Sequence, residues 1–413
     1  MNVTMTIALT ASAAVALSAC GARADSAPNA GGSTCDPGSA DAARKLGSSS
    51  SITGPGANSG KSATTMKAYF DYLNEKDGGV EFGDGVKRTI DMTVLDDAYD
   101  PSKTVPNARE LIEGGAFALV NVNGTSPNEA IWEYANQKGV PNLFMSTGSD
   151  VWLEKSKGGD PWGMAWLPQY GWEAHVFADY ITQRKPNAKV GLLYQNDGYG
   201  KTVKAGFEKA FEGTDATIVA AESFEQSGSS TDAQVSKLKA SGADVFLNYA
   251  TGTHMTQSLK KKGDLGWRPL TIVGSASNAI PLVQPAGESA TADAVSLTWL
   301  KDVNSPSWDA DPGMRKWREF ASAKGVDLND SAGASGYSVA QLFVESLKAM
   351  KGCTRQALLD ANHNLKGAKA DLLLPGVTVS TTPDYPYYIN TVQLLEFDGK
   401  AWQAEGEPVD RTP

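Results

Sequence analysis

The segment Gly54–Ser62 ends in Gly-Lys-Ser, as the nucleotide-binding P-loop does, so phosphate binding is the first chemistry to test. A P-loop needs a glycine five positions before its last glycine, and this chain has Pro55 there, which has no N–H to donate to a phosphate. We therefore interpret the segment as a turn between a strand over 46–52 and a helix that begins at Lys61.

A second polar segment, Gly124–Glu129, follows a predicted strand. Ser126 and Glu129 have the spacing of a capping box, which predicts Ser126 as the N-cap of a helix. Thr125 and the free backbone N–H groups would then face the carboxyl edge of a sheet, where open α/β folds bind ligands.

Two further loops, Ser146–Asp150 and Asn196–Gly200, occupy the corresponding strand ends. Both are candidates for a binding cleft, and each is equally consistent with a turn that uses Gly, Asn and Asp for backbone reasons. Tyr199 is the sharpest candidate, because its ring can cover an apolar group while its hydroxyl binds a polar one.

Catalytic and metal-binding patterns are missing from the sequence. The three histidines, His175, His254 and His363, show no metal-ligand spacing such as HExxH. The sequence also has no CxxC pair and no GxSxG motif around a serine. We predict a protein that is not an enzyme and that has no catalytic residues, metal or cofactor.

Length and charge limit the number of domains and the kind of partner. The 413 residues exceed the usual size of one domain, and the formal net charge of −10 has its acids and bases mixed along the chain. A nucleic-acid surface would need clustered Lys and Arg, so no nucleic-acid partner is expected.

Short β-rich runs alternate with amphipathic stretches, which predicts an α/β fold with parallel sheets and helices on both faces. Strands are predicted over 89–95, 116–122, 142–146, 189–194, 244–249, 270–273 and 387–397. Helices are predicted over 61–75, 102–113, 127–138, 172–183, 201–211, 231–240, 312–324, 333–351 and 354–360.

Breaks in this alternation near 158–169, 297–303 and 375–386 predict three crossings between two doubly wound lobes. The predicted lobe I comprises 45–168 and 301–375, and the predicted lobe II comprises 169–300 and 376–413.

The N-terminus predicts export. Residues 6–19 form an apolar run too short to span a bilayer, so residues 1–20 are interpreted as a signal peptide. The run ends in Leu17-Ser18-Ala19-Cys20, which resembles a bacterial lipobox and predicts lipidation of Cys20. Residues 21–44 follow as a predicted flexible tether, which would hold the body at the outer face of the cell membrane.

Two cysteines remain after Cys20, namely Cys35 and Cys353. An exported protein encounters an oxidising environment, so a disulfide between them is plausible, with two unpaired thiols as the alternative.

Taken together, the chain resembles the type I periplasmic binding proteins of the leucine/isoleucine/valine-binding class, in particular actinobacterial lipoproteins. The resemblance covers about 45–397 and rests on Ile52–Ala57 with Gly60–Ser62, Leu95–Pro101, Gly139–Pro141 and Leu193–Lys201. It implies the type I fold, with two lobes that close on a small solute. It also implies a monomer that delivers this solute to the permease subunits of an ABC importer. The alternative is a ligand-sensing receptor or signalling accessory protein on the same fold.

The resemblance also implies positions for the site. The family's ligand contacts fall on Asn58, Ser59, Thr125, Ser149, Asp150, Tyr199 and Thr251.

Two family features are missing from these positions. Members that bind branched-chain amino acids hold the ammonium with an acid near Ser275 or Ala276, and cover the ligand with a tyrosine where this chain has Ser59. A buried ammonium without an acid is costly, and Asp150 could supply that charge instead. An amino-acid-like or amide-like solute, polar or amphipathic, is expected.

Overall fold

The computed structural model describes Cys35 and residues 42–54, 56–157 and 162–411. The predicted signal peptide, Cys20, most of the predicted tether and Pro55 lie outside the described residues.

Fourteen strands and thirteen α-helices are found in the described part of the chain. The strands are β1 Arg44–Ser50, β2 Val80–Glu81, β3 Lys87–Arg88, β4 Ile90–Asp96, β5 Ala118–Val120, β6 Asn142–Met145, β7 Gly163–Ala165, β8 Lys189–Gln195, β9 Thr217–Phe224, β10 Val245–Tyr249, β11 Leu270–Val273, β12 Ala294–Thr298, β13 Thr391–Phe397 and β14 Trp402–Asp410. The helices are α1 Ala57–Asp77, α2 Pro101–Glu113, α3 Thr125–Gln137, α4 Val151–Ser156, α5 Tyr170–Arg184, α6 Gly198–Ala210, α7 Asp232–Ala240, α8 Thr253–Asp264, α9 Ile280–Val283, α10 Glu288–Thr291, α11 Pro312–Lys324, α12 Ser331–Ala349 and α13 Arg355–Asn362.

The first sheet is five-stranded and entirely parallel, in the order β4-β1-β5-β6-β7. Every residue of β5 and β6 is buried, as expected for strands with helices on both faces. The helix α12 packs against α1, which places this late part of the chain with the first sheet.

The second sheet is seven-stranded, in the order β14-β13-β12-β11-β10-β8-β9. Strands β8 to β12 run parallel, and β13 and β14 add an antiparallel edge. The predicted α/β fold with parallel sheets is confirmed.

The chain passes between the two sheets three times: between β7 and α5, between β12 and α11, and between α13 and β13. Near these passages Ala165 pairs with Tyr387, and Leu300 pairs with Leu373. The lobe boundaries at 168, 300 and 375 stay predictions.

Cys35 and Cys353 form a disulfide, with their Cα atoms 4.9 Å apart. Cys353 is buried between α12 and α13, so the bond ties the start of the body to this helix pair. In the described ranges, no helix has the length and apolar character needed to cross a membrane.

Candidate functional site

A cavity of about 390 Å³ lies where the carboxyl ends of strands from both sheets meet. This is the position at which open α/β sheets bind ligands. Its lining includes segments that follow strands of each sheet, the second passage between the sheets, the start of α12, and residues of β13 and β14. The polar residues that follow strands of the two sheets include Asn58, Ser59, Ser62, Tyr99, Asn123, Thr125, Ser146, Tyr170, Tyr199, Gln226, Thr251, Ser275 and Asn278.

Thr125 is 1% exposed and opens α3, where its hydroxyl lies 2.8 Å from the hydroxyl of Thr147. The residue before it, Gly124, has φ of 95°, and a Cβ there would lie 2.5 Å from the ring of Tyr99. Glycine at this position therefore lets the tyrosine ring approach the start of the helix.

The predicted capping box at α3 is wrong. The N-cap is Gly124, without a side-chain cap, and the helix begins two residues earlier than the motif implied. The hydroxyl of Ser126 instead accepts a hydrogen bond of 3.1 Å from the backbone N–H of Gly198, which opens α6 on the second-sheet side. Ser126 therefore makes a hydrogen bond across the cleft and does not cap its own helix.

Tyr199 lies on the opposite wall and is 3% exposed, with its ring edge-on to that of Tyr170 at 5.2 Å. Burial raises the pKa of its hydroxyl, which stays protonated. The hydroxyl oxygen has no hydrogen-bond partner among the described residues.

Thr251 follows β10, and its hydroxyl lies 2.6 Å from Gln195 Oε1 and 3.0 Å from Gln226 Oε1. Asn58 and Ser59 reach the cavity from the first turn of α1. Five of the seven predicted contact residues thus line the cavity.

Ser149 and Asp150 lie outside the described cavity lining. The hydroxyl of Ser149 lies 2.9 Å from that of Thr202, and Asp150 accepts a hydrogen bond of 2.9 Å from the backbone N–H of Gly171. Asp150 is thus engaged at the start of α5. Its position does not support a role in holding a ligand's ammonium group.

The structure brings in an acid that sequence reasoning missed, Glu173 in the first turn of α5. It accepts hydrogen bonds from Tyr249 Oη at 2.9 Å and from the Oγ of the cavity-lining Ser275 at 2.5 Å. The backbone N–H of Ser275 also donates to it, at 3.3 Å. Burial raises the pKa of Glu173. No sequence signal joins Glu173 to Ser275, because 102 positions separate them.

Charged side chains are scarce in the described lining, which includes Lys301 and Asp302. Lys301 donates to Asp311 Oδ1 at 2.9 Å and to the backbone oxygen of Asp371 at 2.8 Å. Apolar side chains that include Leu282, Leu297 and Leu374 cover much of the remaining wall. The cavity therefore suits an amphipathic molecule better than a doubly charged one.

A family model for periplasmic binding proteins matches residues 44–394. A Leu/Ile/Val-binding protein homolog 3 of Brucella melitensis is 26% identical over 194 residues, which are 46% of this chain and 43% of that protein. A homolog 8 of Brucella abortus is 22% identical over 176 residues, 42% of this chain and 43% of that protein. The chain thus matches less than half the length of these curated relatives.

Solved structures share the fold over nearly the whole chain. A branched-chain amino acid ABC transporter protein from Thermus thermophilus with bound valine has a TM-score of 0.78 at 18% identity, and covers 90% of this chain and 97% of that one. A fatty acid ABC transporter substrate-binding protein from Thermomonospora curvata has a TM-score of 0.77 at 21% identity, and covers 92% of this chain and 95% of that one.

Proposed function

Since the chain belongs to the periplasmic binding protein family, we propose that it is a solute-binding protein that captures a small molecule outside the cytoplasm and delivers it to an ABC importer. The observation that carries the proposal is the cavity of about 390 Å³ between the two sheets, which is walled by polar loops from both. A site that needs both sheets is suited to a ligand that draws them together.

The solute we propose is small and amphipathic, amino-acid-like or amide-like. The polar side chains of Asn58, Ser59 and Thr125 can hold its polar part, and the leucine-rich wall can hold its apolar part. The similar folds named above belong to proteins whose names refer to branched-chain amino acids and to fatty acids, two kinds of molecule with an apolar portion. We further propose that a lipid on Cys20 anchors the protein at the outer face of the membrane.

The mechanism is binding by closure. Solute would first contact one wall, and binding energy released on contact with the second wall would favour the arrangement in which the sheets are held together. The permease would then recognise that arrangement.

Thermal unfolding of residues 21–413 against a panel of amino acids, amides, ureas, short peptides and fatty acids tests the proposal. A ligand at about 1,000 times its Kd should stabilise the fold by roughly 4 kcal/mol. Replacement of the cavity hydroxyl in Thr125→Val should raise the Kd about tenfold. Thr182→Val is the matched control, since Thr182 bonds within α5 to Ala178 and lies outside the described lining.

If no compound of the panel stabilises the protein against thermal unfolding, the proposal is contradicted. Binding without any interaction with a permease would favour a ligand-sensing receptor instead.

A further inference from the structure

The cavity crosses the second sheet strand by strand. Tyr199 follows β8 and Ser275 follows β11. Thr298 ends β12, and Gln393 and Ala404 belong to β13 and β14. Five strand spacings separate β8 from β14, and at about 4.8 Å each they amount to roughly 24 Å. A volume of about 390 Å³ over this distance describes an elongated space.

The polar end of this space lies near β8. Thr125 lines the cavity there, and the adjacent Ser126 accepts a hydrogen bond of 3.1 Å from the backbone N–H of Gly198, which opens the helix after β8. The lining then continues over three leucines at the end of β12 and in the second passage, Leu297, Leu300 and Leu374. Leu300 and Leu374 are only half-buried. The cavity therefore becomes apolar with distance from Thr125.

The far end, which we call the distal arm, is formed by Asn278–Ile280, Leu282, Gln393, Leu395 and Trp402–Ala404. Ile280 and Leu282 are half-buried and pack against the core cluster that contains Leu395 and Trp402. Contiguous apolar surface of this kind, left accessible beside a cavity, is typical of a binding site. The distal arm is thus suited to an apolar part of a ligand.

Polar side chains of the distal arm are already engaged within the protein. Trp402 Nε1 donates to the backbone oxygen of Asn278 at 2.7 Å, and Asn278 Nδ2 donates to the backbone oxygen of Leu297 at 2.9 Å. Gln393 Nε2 donates to the backbone oxygen of Glu405 at 2.9 Å. A polar ligand group beside these side chains would lose its water without gaining their N–H groups, whereas a hydrocarbon chain loses no hydrogen bond.

The size of the cavity sets the length of that chain. An apolar cavity of about 150 Å³ holds benzene, so about 390 Å³ accommodates roughly fifteen non-hydrogen atoms. This is more than leucine or valine contains. A polar head of a few atoms leaves room for a chain of about ten carbons.

We propose that the distal arm binds an unbranched hydrocarbon chain, and that the solute is a single-chain amphiphile whose polar head lies at the Thr125 end. This assignment rests on the proposed solute-binding function and specifies the apolar part of its ligand.

Two other kinds of solute fit the cavity less well. An extended peptide has the required length, but each of its residues brings an N–H and a C=O that need partners when buried. A branched-chain amino acid can occupy the polar end but leaves the distal arm empty. A single apolar chain fills the space and asks for no hydrogen bond along it.

The experiment measures the Kd of straight-chain alkanoates and of the matching primary amides, with chains of about four to about twelve carbons, below the concentrations at which they aggregate. The two series provide a charged and an uncharged head. Each methylene that enters the distal arm should lower the Kd about fourfold, until the arm is full. Short peptides are measured alongside.

Ala404→Phe tests the arm directly. Ala404 is exposed on the edge strand β14 and pairs with Leu395, so the two side chains share the face that lines the cavity. A phenylalanine is well suited to a strand and would fill part of the arm. The variant should bind chains of about four carbons as the wild type does, and chains of about ten carbons about tenfold more weakly.

Leu282→Asn is a second variant, which makes the arm polar without filling it. It should also weaken the long chains about tenfold and spare the short ones. Val219→Phe is the matched control, because Val219 is 41% exposed on β9, the other edge strand of the same sheet, and lies outside the described lining. It should leave the whole series unchanged.

The inference is overturned if affinity stops rising at chains of about five carbons, the size of a branched-chain amino acid side chain. It is also overturned if a short peptide binds more tightly than every chain probe, or if Ala404→Phe binds all chains as the wild type does. If no chain probe binds while another solute of the panel does, the distal-arm assignment fails and the solute-binding function stands. If no solute of any class binds, both fail.

Discussion

Glu173 is a carboxyl group that the fold has taken out of water and surrounded with donors. The hydroxyls of Tyr249 and Ser275 donate hydrogen bonds to its oxygens. Glu173 therefore holds Ser275, which lines the cavity, in position. Burial still outweighs these hydrogen bonds and raises its pKa. Glu173 should therefore contribute to the pH dependence of the protein's stability.

We expect Glu173→Gln to flatten the pH dependence of stability. In the unfolded chain the glutamate pKa has its ordinary value of 4.5, whereas in the folded chain the proton is held to higher pH. Between 4.5 and that raised pKa the unfolded chain binds fewer protons, so the free energy of unfolding of the wild type falls as pH rises. Below 4.5 the contribution is complete.

Urea unfolding of both proteins between about pH 4 and pH 8 measures the difference. The exposed Glu212→Gln serves as the control and should reproduce the wild-type slope. Equal slopes for wild type and Glu173→Gln would show that Glu173 titrates as it does in the unfolded chain.

Residues of the site differ in how far the sequence could predict them. Thr125 and Tyr199 follow strands whose apolar runs are visible in the sequence, so their place at a sheet edge could be inferred. Glu173 could not be found this way. It occupies an ordinary position in α5, and its significance depends on a group distant in sequence, Ser275.

At the level of elements, the two edge strands of the second sheet escaped prediction for a physical reason. Interior strands such as β8 and β10 are mostly buried and read as apolar runs. The edge strands β9 and β14 are half-buried or exposed along most of their length and lack that signal. The short strand β12 was also missed, although it is largely buried.

The disulfide is the element-scale feature with the clearest energetic consequence. It links residues 318 positions apart, so it restricts the unfolded chain strongly. Cys353→Ser should lower the free energy of unfolding by about 2–4 kcal/mol, as measured in denaturant under oxidising conditions. A reducing agent should destabilise the wild type by a similar amount and leave the variant unchanged. If the wild type and Cys353→Ser have equal free energies of unfolding, the disulfide does not change the stability of the folded chain relative to the unfolded chain.

On the scale of the whole molecule, hydrogen bonds between described residues near the start of α6 join the first-sheet side to the second-sheet side across the cleft. Ser126 accepts from the N–H of Gly198 at 3.1 Å, Tyr99 Oη donates to Asp197 at 3.3 Å, and the hydroxyls of Ser149 and Thr202 are 2.9 Å apart. All three involve the residues around the start of α6. This helix end is therefore one place at which hydrogen bonds hold the two sides of the molecule together.

Ser126 and Thr202 lie outside the described cavity lining, which makes them a direct test of closure. If solute binding is coupled to joining the two sides, the double variant Ser126→Ala/Thr202→Val should weaken binding without loss of any ligand contact. Removal of two cross-cleft hydrogen bonds should raise the Kd about tenfold, mainly through faster dissociation. Small-angle scattering should show a larger radius of gyration for the ligand-free variant than for the wild type. The pair Thr64→Val/Ser236→Ala, whose hydroxyls bond only within their own helices, should change neither quantity. An unchanged Kd in the cleft variant would mean that the cavity binds its solute independently of these contacts, and that closure is governed elsewhere in the molecule.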